Sequence, residues 1–198
     1  MILFIYISYK FITDIMRRED ALKLVKENVR KENLLKHMYA VEAIMKEVAE
    51  YLNEDQEKWS LIGLIHDIDF EKTENLPEKH TLLAEEILKG KVSDEIIKII
   101  KTHNFENTKV MPNEKIEKAL IASDAVSGLV IACALVMPTK KLADVKVESI
   151  IKKFKQKDFA RNCDRERILF CEKIGIPKEK FFEISLRALQ KISNELGL

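Results

Sequence analysis

A chain of 198 residues, 46% apolar and 34% charged, is long enough to bury a core and too apolar to stay disordered. Its net charge of +1 supplies no global field for a nucleic acid polymer or an anionic membrane. Its three cysteines, Cys133, Cys163 and Cys171, lack CxxC spacing, which argues against a disulfide frame or a zinc knot and fits a reducing cytoplasm.

Residues 1–15, MILFIYISYKFITDI, are strongly apolar but interrupted by Lys10, too short to span a bilayer, and without a small-residue cleavage site. Met16-Arg-Arg-Glu-Asp reads as an ordinary start, so residues 1–15 are upstream of the true start or an extra element packed on the rest, with membrane anchoring a distant third reading. Beyond them the apolar spacing is helical almost throughout. Leu34, His37, Val41, Ile44 and Val48 share one face of a helix over about 33–52. Trp59, Ile62 and His66 share the next, which ends near Asp67.

After the polar loop EKTENLPEK, Pro77 is placed to open a helix carrying His80, Ala84, Ile87 and Leu88, with Gly90 as its stop. Ser93, Asp94 and Glu95 read as the next N-terminus, leading into the stripe Ile96, Ile99, Ile100, His103. Pro112 precedes a helix with Leu120, Ile121, Asp124 and Gly128, which continues into the apolar run Leu129–Met137, a buried core helix by its length. Three more helices fall near 146–155, 164–173 and 178–196. Within Lys152–Arg167 seven basic residues outnumber three acidic ones, which reads as a solvated helical face. No segment alternates with period two, so strands are few or absent. The expectation is one all-α domain over 16–198.

All four histidines lie on these helical stripes, as does Asp124, while Asp67 follows His66 directly. A single histidine on an apolar stripe is usually a hydrogen-bonded core residue; here the signal is their convergence. Adjacent His66 and Asp67 point in different directions, so they can serve one ion together, or the carboxylate can bridge two. Burying Asp67 and Asp124 as unpaired charges costs several kcal/mol. A divalent cation removes that cost, and no Lys or Arg on the same stripes offers an equivalent partner.

The pattern of a helical His37, the pair His66-Asp67 within LIGLIHDID, and a distant Asp124 within ALIASDAVSGL resembles the HD-domain superfamily of metal-dependent phosphohydrolases. The resemblance covers about residues 20–135 and leaves 136–198 as a helical extension. It implies a helical bundle in which His37, His66, Asp67 and Asp124 hold a metal ion. His80 and His103 fill positions that, in relatives with two metals, hold the second ion, with Asp67 bridging; in relatives with one metal such positions contact substrate phosphate. Imidazole with carboxylate suits Mn, Fe, Co, Ni or Zn better than Mg.

The chain also departs from the superfamily's common patterns. Asp69 and Phe70 stand where the HDIGK version has Gly and Lys. Asn104 stands where the cyclic-dinucleotide branch has a second His. Some nucleotidase members place a catalytic Glu where this chain has Phe70; Asp69 and Glu71 flank that position as candidate acids or bases. Lys140 and Lys141 are candidates for reaching a phosphate, the alternative being solvated loop lysines. Ser127 and Gly128 read as small residues that leave room beside the metal. The resemblance implies hydrolysis of a small phosphorylated metabolite, foremost a nucleotide, in the cytoplasm. Its alternatives are a di-iron oxygenase and a nucleotide-binding sensor without catalysis. No membrane partner is expected, and long apolar helices of this kind can pair as a homodimer.

Overall fold

A computed structural model describes residues 16–198. The apolar segment 1–15, with the question of the true start, lies outside the described residues.

Helix α1 (Arg18–Asn28) buries Ala21 and Val25 and ties itself to the next helix through Arg18, whose guanidinium donates to both carboxylate oxygens of Glu42 at 2.5 and 2.9 Å. Helix α2 (Glu32–Leu52) ends where Asn53 takes the left-handed conformation at φ +56°. The chain reverses there into α3 (Gln56–Ile65), whose N-terminal amides at Glu57 and Lys58 both donate to the Asp55 carboxylate at 3.0 Å. The two helices pack with backbones close together. A Cβ on Gly63 would come within 2.8 Å of the Val41 carbonyl oxygen and 2.9 Å of the Glu42 backbone. Only glycine fits at that position.

A short α4 (Phe70–Thr73) follows the His66-Asp67 turn, then α5 (Leu82–Leu88) and α6 (Asp94–Thr102), the latter capped by the Ser93 hydroxyl on the Ile96 amide. Helix α5 starts later than Pro77 predicts. The Asp69 carboxylate takes the Thr81 and Ala84 amides at 2.7 and 3.1 Å, and the Asn104 side-chain amide donates to the carbonyls of Pro77 and His80 at 2.9 Å each. These bonds occupy groups that a first helical turn would use, and Thr81 is held at φ +71°. The short α7 (Phe105–Thr108) leads to α8 (Lys115–Leu135), opened by a reciprocal capping box between Glu114 and Glu117.

Helix α8 is apolar on every side and is the core helix of the fold. It is long and apolar enough to cross a membrane, yet 61% of its most apolar stretch is buried inside the protein. The chain continues through α9 (Val147–Phe154), α10 (Arg165–Ile168), a 3-10 turn to Ile174, α11 (Lys178–Lys191) and α12 (Ser193–Leu196). The expected helix over 178–196 is thus broken at Ile192. Helix α11 buries Phe181, Phe182, Ile184 and Leu189 in the same cluster as α2 and α8. Its Arg187 and Lys191 donate to the buried Glu47 of α2 at 2.9 and 2.5 Å. No strand forms among the described residues; Lys89 and Val92 make an isolated bridge around the Gly90 turn.

Cys133 and Cys171 are buried free thiols, pushed up by burial to about 11 and about 12, which makes them inert packing residues at neutral pH. Gly128 makes room for Cys163, whose sulfur would lie 2.9 Å from a Cβ placed there.

Candidate metal centre

Helix α2, the C-terminal ends of α3 and α6, and the turn before α5 bring all four imidazoles to one point. In each ring, Nδ1 is already committed. His66 Nδ1 donates to the Gly63 carbonyl one turn back at 2.8 Å, and His103 Nδ1 to the Ile100 carbonyl at 2.7 Å. His80 Nδ1 donates to Asp69 Oδ1 at 3.0 Å. His37 Nδ1 faces the Ser127 hydroxyl at 3.2 Å, and that hydroxyl itself donates to the Asp124 carbonyl at 2.8 Å, so it accepts from His37. Committing Nδ1 outward turns each Nε2 inward as the nitrogen left to ligate, the arrangement of a histidine oriented by its outer hydrogen bond.

Asp67 lies where these nitrogens converge. Its Oδ1 is 3.2 Å from His103 Nε2, 3.3 Å from His80 Nε2 and 3.5 Å from His66 Nε2, and its Oδ2 is 3.6 Å from His37 Nε2. Asp124 Oδ1 is 3.2 Å from His37 Nε2 and 4.0 Å from His66 Nε2. Two ligands about 2.1 Å from a common ion sit roughly 3.0–3.4 Å apart, and the contacts of Asp67 with His103 and His80 and of Asp124 with His37 have the spacing of neighbours in one coordination shell. The atoms divide into two groups with metal-holding geometry, His37–His66–Asp67 and Asp67–His80–His103, which share Asp67.

The donor set fits a transition ion on a further ground. His66 is fully buried and its Nε2 has no hydrogen-bond partner, an unmet polar atom inside a helical core. Burial lowers its pKa to about 4, so it is a neutral ligand at physiological pH. For Asp67, burial raises the pKa but the surrounding His66, His103 and His80 outweigh it and hold the carboxyl well below the usual range. Asp124 is likewise held low, chiefly by the His37 hydrogen bond working against burial. Burial works against a charge on His80, yet Asp67 and Asp69 push its pKa up to about 9. In the metal-free protein its Nε2 therefore carries a proton toward His103 Nε2, 2.9 Å away.

Residues 34–129 match the family model of the HD domain. This segment is an HD domain and belongs to the HD-domain superfamily. That superfamily consists mostly of metal-dependent hydrolases, and the match spans α2 to α8, the segment that contributes all six convergent side chains. No curated protein and no solved structure matches the chain significantly.

The centre forms the floor of a cleft of about 970 Å³. His37 and Asp124 keep 26% and 24% of their side chains exposed, whereas Asp67, His80 and His103 keep 10% or less, so the HD domain opens toward solvent on the His37–Asp124 side. The other sequence candidates are placed differently. Asp69 is fully buried, and its two oxygens are filled by His80, Thr81 and Ala84. It orients His80 and does not line the cleft, a placement that favours positioning over proton transfer.

Glu71 does line the cleft, but its Oε2 accepts the Arg30 and Lys31 amides at 2.7 and 2.9 Å. Those amides hold its carboxyl below the ordinary value, which disfavours the protonated form that a general acid needs. Lys140 and Lys141 occupy the exposed turn beyond α8 and do not line the cleft. The cation that does reach the centre is Arg167, with Nη2 at 3.7 Å from Asp124 Oδ2. In the sequence Arg167 falls within the Lys152–Arg167 run that reads as a solvated face, and no local pattern sets it apart from the other six cationic residues there.

Proposed function

We propose that this HD-domain protein hydrolyses phosphate esters of small metabolites, foremost nucleotides, at the centre built on Asp67. The observation that carries this reading is the convergence of four Nε2 atoms and two ionised carboxylates on the floor of an open cleft, with His66 Nε2 otherwise unmet. His37, His66, Asp67 and Asp124 would hold one divalent transition ion, and Asp67, His80 and His103 a second. Bound there, such ions lower the pKa of water toward neutrality and draw charge from a phosphoryl oxygen.

The chain's own residues supply the rest. Asp67 faces both ligand groups and orients whatever lies between them. The Nδ1 bonds of the four histidines keep the rings from turning as charge moves. The cleft, near the upper end of the range for small-molecule sites, has room for a nucleotide. The Phe70 ring, 37% exposed at the rim and 5.3 Å from the His80 ring, offers a face on which a base can stack.

Alanine at His66 or at Asp67 should abolish turnover of phosphate esters while leaving the circular dichroism melt cooperative. The screen is run with Mn²⁺, Co²⁺ and Ni²⁺ over a metabolite panel, with metal content measured on each variant. Retained activity in the stripped and reloaded double variant would overturn the mechanism.

A further inference from the structure

Arg167 lies outside the matched HD segment and reaches the centre from α10. Its Nη1 donates to both carboxylate oxygens of Glu106 at 3.0 and 3.1 Å, and its Nη2 donates to the His103 carbonyl. Its guanidinium also covers the Phe105 ring at 5.7 Å. These contacts fix the fork before any ligand arrives, so little rotamer freedom remains to be lost on binding. Nη2 has a second hydrogen, and Asp124 Oδ2 lies 3.7 Å from that nitrogen, beyond hydrogen-bond range. Arg167 thus holds a charged donor ready beside a carboxylate of the metal centre, in the wall of the cleft.

The rim's other cation, Lys31, is already engaged by Glu74 at 2.5 Å, and Glu32 and Glu71 lie beside it in the lining. Arg167 is likewise paired with Glu106, but through Nη1; among the described residues that line the cleft it is the one that keeps a charged donor, Nη2, beside the centre itself. The two ligand groups that share Asp67 and the Arg167 fork make three points of attachment. A phosphomonoester has three non-bridging oxygens and two negative charges near neutral pH, whereas a diester has two such oxygens and one charge.

We propose that Arg167, carried by the C-terminal extension, anchors the third non-bridging oxygen of a terminal phosphate and fits this site to phosphomonoesters over diesters. The proposal rests on the phosphohydrolase reading for its substrate, but the anchoring itself can be measured without turnover. The test compares metal-loaded full-length wild type with Arg167→Gln and Arg167→Lys. It records metal content, calorimetric binding of inorganic phosphate, and kcat/KM on p-nitrophenyl phosphate and bis(p-nitrophenyl) phosphate.

The expected result is unchanged metal content, phosphate affinity reduced roughly 10- to 100-fold in Arg167→Gln, the range for one charge-assisted bond, and a similar fall in kcat/KM on the monoester. Turnover of the diester should change less than about 3-fold, since no third oxygen is lost. If the glutamine variant melts early, the lysine variant decides: it keeps the charge without the fork and should still lose about 10-fold in phosphate affinity. Phosphate affinity within about 3-fold of wild type in the folded variants overturns the anchor, even where the esters are hydrolysed. Equal losses on both esters overturn the monoester preference. A wild type that hydrolyses neither ester yet binds phosphate through Arg167 supports the anchor while the phosphohydrolase reading fails.

Discussion

Replacing Asp69 by asparagine separates two roles that a carboxylate near a metal centre can have. The carboxylate accepts from His80 on one oxygen and from the Thr81 and Ala84 amides on the other. Asparagine has one acceptor, so either His80 loses the bond that fixes its ring or two buried amides face an NH2 group. We expect a stability loss of about 1–3 kcal/mol and roughly 10- to 100-fold weaker metal binding at the Asp67–His80–His103 group. The His37–His66–Asp67 group should keep its ion. Metal stoichiometry with a thermal melt reads both effects; full metal content with turnover alone lost would return Asp69 to proton transfer.

The raised pKa of His80, about 9 without metal, carries its own consequence. The folded value lies above the ordinary 6.5, so the protonated ring stabilises the metal-free fold fully below about pH 6.5. That contribution is lost as pH rises through about 9. A metal ion needs the neutral ring and must displace the proton. Affinity at this group should therefore rise about tenfold per pH unit between 7 and 9 and then level off. Calorimetry in two buffers of different ionisation enthalpy should count about one proton released at pH 7; none released would mean that His80 is not a ligand. The spacing of histidines in the sequence announces the ligand set, because ligand chemistry is tied to residue type. Arg167 is not legible in that way, since its meaning comes from a contact with His103 across 64 residues of chain.

At the scale of elements, the close crossing of α2 and α3 sets how His37 faces His66. His37 lies one turn before Val41, and the Gly63 carbonyl holds the His66 ring. Gly63→Ala would gain up to about 1 kcal/mol of helix propensity. Against that, the new methyl meets backbone rather than a yielding side chain, and overpacking costs about 1–3 kcal/mol or more. We expect net destabilisation with weaker metal retention, seen as a lower melting temperature and reduced metal content. An unchanged melt would show that the helices separate freely.

Helices α2, α6 and α8 were readable from apolar period and caps, because their own residues decide them. The 77–81 segment was not. Pro77 is a sound local start signal, but Asp69 and Asn104 bind the backbone groups that a first turn would have used. Tertiary hydrogen bonds overrode local preference at the point where His80 had to be aimed.

Across the whole molecule, the family match stops at residue 129, inside α8, but the core does not. Leu142, Ile150, Phe181, Phe182 and Leu189 are fully buried in the same cluster as Ile44, Leu64 and Leu120. Fully burying a large apolar side chain stabilises by roughly 1.5–3 kcal/mol, so losing these five already rivals the ~5–15 kcal/mol of a typical fold. Cutting the chain after Pro138 also removes the Arg187 and Lys191 bonds that tie α11 to Glu47 of α2, a carboxylate 5% exposed in the full chain. The fragment should therefore retain helical far-ultraviolet dichroism but lose its near-ultraviolet signal and its sharp calorimetric transition, with or without metal. A cooperative melt of the fragment would show instead that the HD segment folds alone and that the extension serves the cleft without supporting the core.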